Sequence, residues 1–464
     1  MAKKRELKIA LVNPPLLPGM FRHHPLVPLG LAYLAAVLEE ADYEVKVFDC
    51  PPLGITHKNL EGLLADFSPD FVGITCMSMI YPSALEAAAI SKKCCPDALV
   101  AIGGPHATFY DVEILTESPH IDVVVRGEGE KTVVEMANCL AEGEKIQKIH
   151  GITLRKQKEI VRTPDRELIQ NLNELPYPAY HLFPIDNYRV FGKKILPIMT
   201  SRGCPFQCSF CVTSRMVGKK FRARSPENVT AELKWLVSEH NADAFCFYDD
   251  TLTLDKKRIF DICEMIKKEK IGVPWDCQTR ADQVSNEVLS KMVEAGCQLV
   301  SFGAESGSQK ILGSIGKGTT VEQNLKAIRL AKEAGLLVAI SIVLGYPGET
   351  VETLRETVDF IWKAKPDDAY LCFATPYPGT ELQKLINSLG WTVSKDWTKY
   401  DTLNPVVENP NLPNEYLLQL RRDFYNEFYS PSYIIKHFFR RGFYSRMMAR
   451  TAFNHLLWRI KGAQ

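Results

Sequence analysis

Three cysteines, Cys204, Cys208 and Cys211, stand close together in SRGCPFQCSFC (201–211). Three and then two residues separate them, directly after an apolar run that reads as a strand. Thiolates are the usual ligands of iron–sulfur clusters. Three thiolates on one short loop hold three irons of a [4Fe–4S] cubane. The fourth iron then keeps an open coordination position for a small molecule, much as catalytic zinc keeps one for substrate. The competing reading is a structural zinc site, which wants four ligands in paired spacing. No second C-x-x-C and no H-x-x-x-H follows the trio.

The elements that would position such a loop are legible around it. From Ile195 onward, strand-like runs alternate with helical stretches: ILPIMTSRG, AFCFYDD, WDCQTRAD, LVSFGAES, LVAISIVLGYPGE and AYLCFATPYPG. Helices of about three turns follow each of the first five, for example PENVTAELKWLVSEH. Six β/α units predict a partial (β/α)6 barrel, and polar residues gather where its strands end, the catalytic face of such barrels. Tyr248, Asp249 and Asp250 end the second of these strands, where they either face a ligand or cap the next helix. Cys246, Cys263, Cys277, Cys297 and Cys372 sit in apolar runs and read as core.

The first third alternates as well. KIALVNPP, VKVFDC, DFVGITCMS, ALVAIGGPH and DVVVRGEGE read as five buried parallel strands with helices between them, in an α/β Rossmann-like layer. HGITLRKQKEIVRTP (150–164) reads as a small hairpin, and the proline- and aromatic-rich NELPYPAYHLFP (173–184) as a semi-extended linker. The expected division is a ligand-binding domain at 1–165, a linker at 166–192, the barrel at 193–404 and a helical C-terminal region at 405–464. From Tyr429 onward there is no Asp or Glu, while Lys436, Arg440, Arg441, Arg446, Arg450, Arg459 and Lys461 are present. That segment reads as a helical lid over the open side of the barrel, with contact to an anionic membrane surface as the second reading and a plain solvated face as the third.

Composition sets the outer limits. With 464 residues, 46% hydrophobic and 24% charged, the chain has room for two or three globular domains. A formal net charge of +1 gives no global field toward nucleic acid. The cysteine count is 13, odd and scattered through apolar runs, so a reducing cytoplasm is expected rather than a disulfide framework. The basic N-terminus has too brief an apolar stretch for a signal peptide.

The C-x-x-x-C-x-x-C trio after the first strand of a partial barrel resembles the radical S-adenosylmethionine (SAM) superfamily. The resemblance extends over about residues 193–400. It implies that Cys204, Cys208 and Cys211 hold a [4Fe–4S] cluster that reductively cleaves SAM to methionine and a 5′-deoxyadenosyl radical. The glycine-rich segment of that family matches Gly303, Ala304 and Glu305, which would accept the methionine amino group; Gly-Ala replaces the family's glycine pair. Its fifth-strand motif matches SIVLGYPGE, placing Ile342, Gly345 and Glu349 near adenine. Gln278 and Arg280 fall where the family contacts the SAM carboxylate or ribose. Phe206 and Phe210 would shield the cluster or stack near the adenine. An external electron donor such as flavodoxin or ferredoxin is implied.

The N-terminal third resembles the cobalamin-binding domain fused to many radical SAM enzymes. On that resemblance Ser78, Gly103, Gly104, His106, Gly127 and Glu128 contact cobalamin. The cobalt-ligating D-x-H-x-x-G motif is missing from NPPLLPGMFRHHP, and His23 and His24 read as exposed or capping residues, so cobalamin is expected without a protein histidine on cobalt. No phosphate-loop or dinucleotide fingerprint follows the first strand. The implied function is methylation of an unactivated carbon of a small molecule, with a lipid, isoprenoid or tetrapyrrole all open. Oxidative cyclisation with the same cofactors is the alternative, and a non-enzymatic cobalamin or iron–sulfur sensor is the reading from another class. A methylthiotransferase lacks support, because its extra N-terminal cysteine trio and C-terminal β-barrel pattern are not found.

Overall fold

The structure, a computed structural model, describes residues 6–20, 26–157 and 159–460. His23, His24 and Lys461 lie outside these.

Two seven-stranded sheets organise the chain. In the first, β1 (Lys8–Asn13), β2 (Glu44–Asp49), β3 (Phe71–Thr75), β4 (Leu99–Gly103) and β5 (Val123–Val125) run parallel in the order β2-β1-β3-β4-β5. Helices such as Leu29–Glu40 and Tyr81–Cys94 cover its faces, which is why its strands are apolar on both sides. The expected hairpin, β6 (Ile152–Lys156) and β7 (Glu159–Arg162), is not a separate unit. It extends this sheet, because β6 pairs antiparallel with the edge of β5.

After β8 (Arg189–Val190), the second sheet contains β9 (Lys193–Ile198). A two-residue ribbon follows, β10 (Ser201–Arg202) against β11 (Arg222–Ala223). The sheet continues with β12 (Ala244–Phe247), β13 (Trp275–Thr279), β14 (Cys297–Glu305), β15 (Leu337–Leu344) and β16 (Asp368–Phe373). β9 and β12–β16 are parallel and adjacent in sequence order, an open (β/α)6 barrel, with β8 added antiparallel at the edge. Five of the outer helices start at a capping side chain. Ser225, Asp255, Ser285, Thr320 and Thr350 each accept a backbone N–H from the first turn. Asp255 caps the helix after β12, which removes the capping alternative for Asp249 and Asp250.

The segment between the sheets is packed rather than free. Tyr180 and Tyr188 are buried, and they donate to the Pro197 carbonyl and the Asp49 carboxylate respectively. The Ala179 N–H reaches Ala32 O at 3.0 Å. One apolar cluster runs from helix Leu29–Glu40 through Tyr180 into the barrel wall.

Helix Asn414–Phe428 lies along the open edge strand β16, where the Tyr425 hydroxyl accepts from the Leu371 N–H at 3.0 Å, while Pro431–Phe439 and Phe443–Ile460 form a floor instead of the lid expected for the basic segment. Tyr444 and Met448 pack against Ile195, Ala244, Leu299, Leu337 and Ala339, all toward the beginnings of the barrel strands. Those apolar starts would otherwise face water, which supplies the driving force. Tyr444 Oη lies 3.0 Å from Phe245 O and 2.7 Å from Asp276 Oδ2. Burial pushes Asp276 up to about 6. Lys436 and Arg440 approach the buried Asp367 carboxylate at 3.2 and 3.4 Å. Among the described residues no helix is long and apolar enough to cross a membrane.

Tyr444→Phe removes the hydroxyl that joins floor to barrel and leaves Oδ2 of the buried Asp276 without its donor. It is expected to cost about 1–3 kcal/mol, read as a lower urea midpoint at neutral pH. An unchanged midpoint would contradict this account of the floor.

Candidate cluster and cofactor site

The cysteine loop, 203–221, is clasped at its base by β10 and β11 (Ser201↔Ala223, Arg202↔Arg222). Its interior is fixed by backbone bonds. The Cys204 N–H donates to Gly218 O at 3.2 Å, and the Ser209 N–H to Ile315 O at 2.9 Å. Ser209 O accepts from the Leu382 N–H at 2.8 Å, and Ser209 Oγ meets Tyr346 Oη at 2.7 Å. Asp249 accepts from the Thr200 N–H (3.2 Å), the Thr200 hydroxyl (2.7 Å) and the Ser201 hydroxyl, tying β12 to the start of the loop.

Cys204, Cys208 and Cys211 are half-buried, unbridged, and line one cavity of about 340 Å³ at the strand ends. Among the described residues no three His, Cys, Asp or Glu side chains converge as they would on a single ion. Three thiols around a shared cavity suit a multi-iron cluster better than tetrahedral zinc. Burial raises the Cys204 and Cys208 thiols, while Arg280 pulls on both toward ionisation and Lys317 on Cys208. Cationic neighbours of this kind favour thiolate ligands.

Gln278, Arg280, Gly303, Glu305, Ile342, Phe206 and Phe210 line the same cavity. Arg280 is firmly held. Its guanidinium lies 3.5 Å from the centroid of the Phe206 ring, pairs with Asp282 at 3.0 Å and donates to Lys317 O at 2.7 Å. Asp250, pushed up to about 6 by burial, accepts from Thr213 Oγ1 at 3.1 Å. Cys372, expected in the core, lines the cavity instead, whereas Cys246, Cys263, Cys277 and Cys297 are buried.

The glycine-rich segment has a clear local cause. β14 bulges against β15 between Gly303 and Glu305, and Glu305 takes φ +64°, a conformation uncommon for a non-glycine residue. The bulge sends the Glu305 carboxylate into the cavity, where Lys317 Nζ binds it at 2.7 Å. A Cβ at position 303 would stand 2.7 Å from Lys317 Nζ and closer still to Glu305 Oε1, so a side chain there would push the Lys317–Glu305 pair out of its place in the cavity. Ala304 is fully buried in the apolar cluster. The Gly-Ala departure therefore falls where a methyl group is useful. Lys317 escaped the sequence reading; its only local mark is Gly316-Lys317-Gly318. Gly345 sits just beyond the end of β15, outside the cavity lining, and donates its N–H to Glu349 Oε2 at 2.5 Å. Burial pushes Glu349 up to about 8.

On the first sheet, Ser78, Gly103, Gly104 and His106 meet at the ends of β3 and β4. Ser78 Oγ lies 3.0 Å from His106 Nδ1, and both residues are buried. Rings of Tyr81, Tyr110 and Trp397 surround His106 at 4.5, 5.0 and 4.7 Å. Burial lowers His106 to about 4, so its imidazole is neutral, and Nε2 has no hydrogen-bond partner among the described residues. A Cβ at Gly104 would approach Cys76 O to 2.7 Å, so this glycine serves the packing of the two loops. The Gly127 N–H donates to Thr108 Oγ1 at 3.1 Å. Glu128 stands apart. It accepts from Arg202 (3.2 Å), Arg222 (2.8 Å) and the Ile169 N–H (2.8 Å), and Glu130 takes the other arm of Arg202 at 2.6 Å. Burial opposes ionisation of Glu128, but the two arginines hold it below the ordinary carboxylate range. Its bonds join the first sheet to the ribbon under the cysteine loop. Trp397, far along the chain, gave no sequence signal.

The sequence matches the radical SAM superfamily over residues 198–361 and the B12 binding domain over residues 22–137. It is 38% identical to an uncharacterized methyltransferase of Pyrococcus horikoshii, covering 93% of this chain and 95% of that one. The chain belongs to the B12-binding radical SAM proteins. An anaerobic magnesium-protoporphyrin IX monomethyl ester cyclase of Cereibacter sphaeroides is 32% identical over 87% of this chain and 67% of its own. The solved structure of a radical SAM methyltransferase from Kitasatospora setae shares the fold, with TM-score 0.76 at 18% identity, covering 98% of this chain and 100% of that one.

For a B12-binding radical SAM protein built this way, two outcomes are expected. Gly303→Ala weakens SAM binding by about tenfold or more, roughly 1.4 kcal/mol, with cluster absorbance retained; equilibrium dialysis at wild-type affinity would refute the crowding argument. Glu349→Gln tests burial of the carboxyl. Glu349 titrates near 8 in the fold and near 4.5 when unfolded. Its contribution is full below 4.5 and is lost as pH rises toward 8. The stability of the variant relative to wild type should therefore climb across that window in urea titrations. A flat difference would show that Glu349 is not held neutral.

Proposed function

We propose that this chain is a cobalamin-dependent radical SAM C-methyltransferase acting on a small molecule. The reading rests on one observation above the rest: three thiols, Glu305 and Lys317 face a single cavity at the strand ends of the open barrel. A [4Fe–4S] cluster on Cys204, Cys208 and Cys211 would supply an open iron for SAM and one electron for its cleavage to methionine and a 5′-deoxyadenosyl radical. Glu305 would accept the methionine ammonium, and Lys317 with Arg280 would offset the methionine carboxylate. Ile342 and Phe210 would give adenine an apolar wall, and Gln278 and Asp250 would meet the ribose hydroxyls. Arg280, stacked on Phe206, would hold the loop rigid while SAM enters.

Cobalamin would be held on the first sheet by Ser78, His106 and the turn at Gly103 and Gly104, and it would supply the methyl group. The buried Nε2 of His106, left unpartnered beside the Ser78 hydroxyl, fits a polar contact to the nucleotide tail. No histidine of the described β1 loop offers itself to cobalt. Gly127 would border the corrin, and Glu128 would set the height of the first sheet over the cysteine loop rather than touch the cofactor. Relatives named as methyltransferases, in Pyrococcus horikoshii and in Streptomyces wedmorensis, support methyl transfer as the outcome. The cyclase relatives keep oxidative cyclisation as the second reading. An external one-electron donor of the flavodoxin or ferredoxin type would reduce the cluster, and the basic C-terminal segment would contact a membrane.

Anaerobic reconstitution with iron, sulfide and cobalamin, followed by incubation with methyl-labelled SAM, dithionite as electron source and a small-molecule cell extract as substrate source, tests the proposal. The expected products are 5′-deoxyadenosine, S-adenosylhomocysteine and label in the substrate fraction. Replacing the three cysteines with alanine should abolish the iron–sulfur absorbance and all three products. Deoxyadenosine without transferred label would favour cyclisation. Wild-type protein that binds no iron would overturn both.

A further inference from the structure

The floor of the barrel carries a surface that the proposed chemistry does not use. Helix Pro431–Phe439 turns Tyr433, Ile434 and His437 toward the barrel. Its opposite face holds Ile435, Phe438 and Phe439, exposed to 58%, 65% and 78%. Their spacing of three and four residues places them on one stripe. The following helix exposes Phe453 (47%) and Leu457 (37%) on the same helical face as Arg446 and Arg450, which are exposed as well. Arg441, in the turn between the helices, is also exposed. Isolated surface hydrophobes need no explanation, but a run of large aromatic side chains beside cations marks an interaction surface.

Charge selects the occupant. From Tyr429 to the end of the sequence there is no acidic residue. Two copies of the chain meeting through this face would bring cation against cation with no partner. Apolar side chains projecting from a rim of arginines match the interface of a bilayer that carries anionic lipid. We propose that the exposed face of Pro431–Phe439 inserts Ile435, Phe438 and Phe439 into an anionic bilayer, with Arg441, Arg446 and Arg450 against the headgroups. The inference deepens the membrane contact proposed above and fixes where it occurs. Because the face lies at the strand beginnings, docking leaves the cysteine loop at the other end of the barrel open to SAM and to an electron donor.

The test uses the full chain with its cluster reconstituted, in flotation with phosphatidylcholine vesicles prepared with and without phosphatidylglycerol. The wild-type protein should float with anionic vesicles and lose them at high salt. Phe438→Ser with Phe439→Ser, and separately Arg441→Glu with Arg446→Glu, should each weaken flotation by about tenfold or more. None of these side chains lines the cavity, so both variants should keep cluster absorbance and deoxyadenosine formation. This separates the membrane proposal from the enzymatic one, since either can fail while the other stands. Wild-type protein that ignores anionic vesicles, or variants that float as well as wild type, would overturn the inference. So would a concentration-dependent dimer in light scattering that the phenylalanine variants abolish, since the face would then belong to a second copy.

Discussion

A pair of buried carboxylates, Glu128 and Glu130, is gripped by Arg202 and Arg222, and this grip carries the geometry of the whole molecule. The arginines flank the cysteine loop on its ribbon; the glutamates follow the fifth strand of the other sheet. Taking four charges out of water is expensive, and only near-complete hydrogen bonding offsets that cost. Here Glu128 alone accepts from two guanidiniums and one backbone N–H. Removing any one partner would leave an uncompensated charge in the interior. The two sheets are therefore held at one separation, and the ends of their strands share a common region. A protein that must bring two cofactors to bear on one carbon needs that fixed spacing more than it needs the net stability of the ion pairs.

The barrel divides its labour along its axis. At the strand beginnings, apolar residues and the C-terminal helices exclude water. At the strand ends, polar and charged side chains surround the thiols. The division explains why the last helices act as a floor: the apolar surface requiring cover is at that end. It also explains the buried Asp367, whose charge is met by Lys436 and Arg440 from the floor itself.

Much of this was legible in the sequence, for physical reasons. Strands buried on both faces produce uninterrupted apolar runs, so both sheets could be read, including the six parallel barrel strands. The cysteine trio and the Gly303–Glu305 segment are local, each built from residues within one turn of chain. The features that escaped depend on distant partners. Nothing near Lys317 announces its pairing with Glu305, since a strand bulge creates it. Glu128 looked like a ligand contact because RGEGE ends a strand, yet arginines 74 and 94 residues away claim it. Trp397 joins the ring cluster at His106 across most of the chain. The pairing of β6 with β5 was hidden because edge strands carry little pattern of their own.

The ion pair between Lys317 and Glu305 has one more consequence. The lysine ammonium occupies the position at the glutamate that an incoming amino acid headgroup would seek. The pocket thus carries its own surrogate of such a headgroup. Glu305 need not be paired with bulk cations while it waits, and the cavity need not reorganise around a bare charge. Arrival would be an exchange of one ammonium for another, with the displaced lysine left beside the newcomer's carboxylate. Such a site would select against ligands bearing only half of a zwitterion, because they would disrupt the resident pair without replacing both of its charges.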